Sequence, residues 1–218
     1  MLLCPVRPAR PARPGASAVG RKGWRGAPPA DDTEARKRIV DAALASIERR
    51  GPRLTTLSEV AADLGITRPT IYRHFASTEA LLAAAAEIAL DHWTARIGRM
   101  VRDLDDATDL LVEAVAYLVE QLPEEPLLAL LLETDRSRVS RQMVMPAAIA
   151  RSRVMLENTQ IDWLSKGFSG PRMDDLVEYL HRMIQSMVIA PPDPPRGPKE
   201  LRRYLRLWIE PVMSANLS

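Results

Sequence analysis

Arg68, Thr70, Tyr72, Arg73 and His74 crowd into the run RPTIYRH, and their side chains carry the hydrogen-bonding chemistry that reads duplex DNA. Arginine meets guanine O6 and N7 with two parallel bonds, threonine meets a thymine methyl or a base edge, and tyrosine and histidine bond phosphate oxygens. Acting together requires that one helix present them on one side. The spacing predicts this, because Ile71 and Phe75 turn inward four residues apart and leave the polar residues outside. An ordinary helical hairpin with a polar outer face is the competing reading, so the neighbouring elements decide.

Those elements form a helix–turn–helix. Thr56 followed by Glu59 is a capping box, in which each side chain can satisfy a backbone N–H at the start of a helix. Val60, Ala61 and Leu64 share one face, and Gly65 ends the helix because it can take a left-handed backbone. Thr67 is an N-cap for the second helix and Pro69 lies in its first turn. Small Ala61 suits the crossing point, with Ile66 and Ile71 beneath it. Arg68, Thr70 and Arg73 are therefore expected on bases, and Thr56, Thr67, Tyr72, His74, Ser77 and Thr78 on the backbone. Upstream, a helix from Asp32 to Arg50 buries Ile39, Val40, Ala43, Leu44 and Ile47 and stops at Gly51-Pro52. Lys37 and Arg38 on it could reach phosphates.

The segment from Arg38 to Leu82 resembles the DNA-binding domain of the TetR family of bacterial transcriptional regulators. The most specific part is Tyr72-Arg73-His74-Phe75 ahead of a new helix. Many members carry a lysine on a phosphate at the start of that helix; here the position is Thr78, and the helix N-terminus remains to attract the phosphate. The resemblance implies an all-α fold, with a three-helix head on a helical-bundle body that binds an effector and dimerises. It also implies a DNA-binding regulator, a repressor acting on a near-palindromic operator and released by a small, mostly apolar effector.

Charge agrees with that division. Residues 1–78 hold 14 Lys/Arg and 7 Asp/Glu, whereas residues 79–218 hold 16 and 21, so a basic head sits on an acidic body. Residues 1–30 read as a disordered basic leader, rich in Pro and Arg with no acid before Asp31. Residues 31–77 form the head and 78–218 the body. The single cysteine, Cys4, permits no intrachain disulfide and suits a reducing cytoplasm. No apolar run approaches a membrane span.

The body continues in helices. Ser77 caps a long one to about Val101, with no proline between Thr70 and Leu122 to interrupt it. Further helices are expected from Ala107 to Leu122, Leu127 to Glu133, near Pro146 to Ser165, Asp174 to Ala190, and Lys199 to Met213. The Asp174–Ala190 segment is apolar almost all round, so it should be buried on every side. With the final helix it suggests a four-helix interface between two copies, through Leu180, Ile184, Tyr204, Leu205, Trp208 and Ile209. The other possibility is that both helices complete one subunit's core. The pocket implied by the resemblance would draw on Trp93, Met100, Tyr117, Met143, Met145, Met155, Trp163, Met183 and Met187, since flexible Met side chains suit adaptable apolar sites.

No catalytic constellation, cofactor motif or metal set emerges. Glu178 and His181 have Glu-x-x-His spacing but no second such pair. Two further readings stay open: an architectural DNA-binding protein without effector, and a small-molecule-binding protein that no longer reads DNA.

Overall fold

The computed structural model describes residues 23–132 and 144–215. Helix α1 (Asp32–Arg50) starts at Asp31, whose carboxylate accepts the Glu34 amide at 2.8 Å. Helix α2 (Leu57–Leu64) is capped by Thr56, α3 (Arg68–His74) by Thr67 and α4 (Thr78–Met100) by Ser77, each hydroxyl accepting an amide three residues on. Gly65, between α2 and α3, has φ +65°, a conformation that would cost other residues steric energy. The head closes on Ile39, Val60, Ile71 and Leu81, all excluded from solvent.

The capping box is half formed: Thr56 accepts the Glu59 amide at 3.2 Å, but the Glu59 carboxylate bonds Arg50 Nη1 at 2.8 Å. The leader expected over residues 1–30 divides at Gly23. Residues 1–22 lie outside the described residues, whereas Trp24 packs against the head's apolar core and Arg38 donates to the Ala27 carbonyl.

The body follows as α5 (Ala107–Gln121), α6 (Pro126–Leu132), α7 (Met145–Glu157), α8 (Pro171–Ile189) and α9 (Pro198–Ser214). Leu110, Leu111, Val112, Ala114, Val115 and Ala116 are all buried, so α5 is enclosed over most of its circumference, the flank of Asp109, Glu113 and Glu120 staying partly exposed. Helices α4, α8 and α9 pack around it. Arg202 of α9 reaches Glu113 and Glu120 of α5 at 2.9 and 2.6 Å, and Arg206 pairs with Asp109. Arg151 of α7 holds Asp91 of α4 at 2.6 Å and also bonds Glu87.

Three expectations are corrected. Helix α7 ends at Glu157, not Ser165, because nearby side chains take its last carbonyls. Asn158 Nδ2 donates to Val154 O at 2.7 Å, and Trp163 Nε1 donates to Leu156 O at 2.8 Å. Helix α8 is amphipathic rather than apolar all round: Met173, Leu176, Val177, Leu180 and Ile184 are buried, while Asp175, Glu178, Tyr179 and Arg182 are exposed. Leu180, Ile184, Leu205 and Ile209, expected between two copies, are buried within this chain, where α5 already supplies an apolar face. Glu133, the expected end of the short helix, lies outside the described residues. Among the described residues no helix is long and apolar enough to cross a membrane.

Leu205 is wholly excluded from solvent. Leu205→Ala is expected to lower the unfolding free energy by about 2–5 kcal/mol, measured by urea denaturation followed by circular dichroism.

Candidate functional site

Helix α3 stands on the head with Arg68, Tyr72 and Arg73 exposed. Tyr72 retains 52% of its surface, and Arg68 has no hydrogen-bond or ion-pair partner among the described residues. Thr70 is half-buried, and its hydroxyl lies 2.8 Å from that of Thr67. Thr67 accepts the Thr70 amide at 3.4 Å. Ser77 accepts the Ala80 amide at 3.2 Å, and Thr78 Oγ1 accepts the Leu57 amide at 3.3 Å. That last bond ties the start of α2 to the start of α4. The hydroxyl oxygens of Thr56, Thr67, Ser77 and Thr78 therefore each accept a backbone amide at a helix start, which uses a lone pair and not the O–H proton.

His74 does not lie on the outer face. Its side chain is wholly buried, because it sits three residues after Ile71 and shares the inward side with Phe75. Its ring meets Trp24 edge-on with centroids 6.5 Å apart. Asp32 Oδ1 is 3.1 Å from His74 Nδ1, yet the alignment makes no hydrogen bond and that nitrogen is left without a partner. Arg36, which sequence reasoning passed over, donates to the His74 carbonyl and stacks 4.3 Å from the Phe75 ring centre. A cation at the C-terminal end of α3 complements the helix dipole. The sign of Trp24's role was a large aromatic inside an otherwise polar leader; Arg36 carried no such sign. Lys37 is paired with Asp41, and Arg38 with Glu34.

The body encloses a cavity of about 90 Å³ among α4, α5, α6, α7 and α8. Trp93 and Met145 line it, as do four polar side chains, Thr94, Ser152, His181 and Gln185. His181 Nδ1 is 2.9 Å from the Val177 carbonyl and Nε2 is 3.4 Å from Ser152 Oγ. Burial holds the His181 pKa below its ordinary value, against the opposing effect of the Val177 carbonyl.

The other residues expected in the pocket lie elsewhere. Met155 lines adjoining hollows between α4 and α7. Met100 is exposed, and Trp163 fills the turn after α7 against Phe168, with ring centres 6.4 Å apart. Tyr117 packs on Trp93 at 5.6 Å with its hydroxyl buried and unpartnered. Met183 and Met187 pack against the core, and Met143 lies outside the described residues. Glu178 turns outward to Arg182 at 2.8 Å, so it does not share a site with His181.

A groove between α8 and α9 exposes Tyr179, Trp208 and Val212 over a floor of Leu111, Leu180 and Ile209. Tyr204 is half-buried beside it, 6.5 Å from Trp208 between ring centres.

Residues 39–85 match the family model of bacterial regulatory proteins of the tetR family. An uncharacterized HTH-type transcriptional regulator of Mycobacterium tuberculosis is 26% identical over 182 residues, covering 81% of this chain and 84% of that one. A transcriptional regulator of Streptomyces coelicolor A3(2) superposes with a TM-score of 0.56 at 25% identity, over 83% of this chain and 98% of that one. The structure of RolR in complex with resorcinol superposes with a TM-score of 0.62 at 19% identity, over 86% and 96%.

Because His74 is buried with an unpartnered nitrogen, His74→Leu is expected to keep the unfolding free energy within about 1 kcal/mol of the parent. Duplex affinity should fall less than in Tyr72→Ala. Chemical denaturation and fluorescence anisotropy check both points.

Proposed function

The chain is a transcriptional regulator of the TetR family, and on this premise we propose that it works as a homodimeric repressor. Its two heads grip a near-palindromic operator and release it when a small, mostly apolar effector enters the body. The observation that carries the reading is α3, a capped helix behind a left-handed glycine turn with Arg68, Tyr72 and Arg73 exposed at its surface, Arg73 Nη2 lying 3.4 Å from His74 Nε2. Arg68 and Arg73 contact bases, and Thr70 offers a thymine its methyl. Tyr72 bonds a phosphate, as do the α4 N-terminus and the hydroxyls of Thr56, Thr67, Ser77 and Thr78, each donating its O–H to a phosphate oxygen. His74 supports α3 from beneath. No cofactor enters the scheme, and an operator target places the protein in the cytoplasm.

The second copy docks on the α8–α9 groove. Exposed Tyr179, Trp208 and Val212 are the apolar anchors that a two-fold interface buries, and paired half-sites need paired heads. Effector release runs through α4, which supplies Leu90, Trp93, Thr94 and Ile97 to the cavity and begins at the Thr78 tie to α2. An effector shifts the heads only to the extent that it binds the released arrangement more tightly than the gripping one.

Selection from a random duplex library, followed by a salt titration on the winner, tests the reading. An enriched inverted repeat supports it; binding without enrichment would replace it with an architectural role. Arg68→Ala is expected to cost about 1–3 kcal/mol on the selected site and relax preference at one base pair, read by anisotropy on a set of single-base variants. Trp208→Glu is expected to yield a helical monomer that has lost operator affinity, measured by sedimentation velocity and anisotropy.

A further inference from the structure

The cavity's polar groups define the chemistry of its occupant more closely than its apolar walls do. Among the described residues its lining holds no Asp, Glu, Lys or Arg, so a charged ligand would lose its hydration with no counter-charge in return. A neutral ligand escapes that penalty.

His181 then sets the polarity of the contact. The Val177 carbonyl can only accept, so His181 Nδ1 carries the proton that bridges their 2.9 Å separation. Burial keeps the ring uncharged at neutral pH, and Nε2, on a ring that lines the cavity beside Ser152, consequently carries a lone pair. Its present partner is the Ser152 hydroxyl at 3.4 Å, well beyond the roughly 2.8 Å of a good hydroxyl bond. The acceptor is thus weakly used.

We propose that His181 Nε2 is the specificity-determining acceptor of this cavity, and that it selects compact neutral molecules carrying a hydroxyl group, alcohols or phenols, over their hydrocarbon and ionised analogues. The proposal rests on the effector-binding reading of the body. Size follows from volume: an apolar cavity of roughly 150 Å³ holds a benzene ring, so a space of about 90 Å³ takes a ring or short chain once flexible Met145 yields. Thr94 and Gln185 lie on the same wall system and are available to a second polar group on the ligand.

Isothermal calorimetry on the full chain with phenol, toluene, benzoate and benzylamine tests this. Phenol is expected to bind roughly tenfold more tightly than toluene, the size of one net hydrogen bond at its upper range, with benzoate and benzylamine weaker than both. In His181→Leu the phenol-to-toluene ratio should collapse toward one while toluene binding persists; a merely structural role would weaken both probes alike. Ser152→Ala, which frees Nε2 without touching the ring, should raise the ratio. An unchanged ratio in His181→Leu, a lowered ratio in Ser152→Ala, preferred binding of an ion, or no binding of phenol would each overturn the proposal. Operator binding without any probe, measured on the same preparations, tests the regulator reading separately, and its retention in His181→Leu confirms that the variant folds.

Discussion

Enclosure of α5 is the constraint on which the body depends. A fifteen-residue helix with six consecutive-to-near-consecutive buried apolar positions leaves to water only the flank of Asp109, Glu113 and Glu120, which the arginines of α9 bridge, so α4, α8 and α9 must all lie against it. Each then has one stripe committed inward: Leu201, Leu205, Ile209 and Met213 on α9, and Met173, Leu176, Val177, Leu180 and Ile184 on α8. The apolar residues left over, Tyr179, Trp208 and Val212, gather at the α8–α9 groove. The cavity forms on the opposite flank, where α6 and α7 cover α4 and α8 less closely than α9 covers α5.

The head works by a different economy. Helices α2 and α3 are short, with eight and seven residues, too few to persist unaided. Side-chain caps at Asp31, Thr56, Thr67 and Ser77 and one left-handed glycine fix the ends, and the shared core of Ile39, Val60, Ile71 and Phe75 fixes the angles. The caps use lone pairs of their hydroxyls and leave the O–H donors, so the same side chains can end a helix and serve the phosphate contacts proposed above.

Local signals made most of this legible in the sequence. The limits of α1 and α4 followed from caps, glycine and an absence of proline, all of which act within a few residues. His74 was misplaced because residue type outweighed position: at about 100° per residue it flanks Ile71 on one side as Phe75 does on the other. The stripe of α9 was read correctly and that of α8 was taken for an apolar surface all round, but periodicity does not say what a stripe faces, and α5 of the same chain covers residues assigned to a partner. Trp24 and the cavity lining come together only in the fold. His181 in particular belonged, by sequence, to an interface helix or an incomplete metal motif, and nothing in its neighbours in the chain pointed to Ser152.

Continuity of α4 has a mechanical consequence. From Trp93, at the cavity, back to Thr78, at the head, the helix spans about 22 Å at about 1.5 Å per residue, with no break among those residues. A tilt of about 5° imposed at the cavity therefore displaces the head end by about 2 Å, whereas hydrogen bonds to base edges weaken after a few tenths of an ångström. The helix is a lever with a long arm on the DNA side. On the proposed effector mechanism a ligand of a few heavy atoms is small compared with the motion it governs, and what such a lever demands of the protein is stiffness: a glycine or proline placed between Thr78 and Trp93 would uncouple the two ends while leaving each intact.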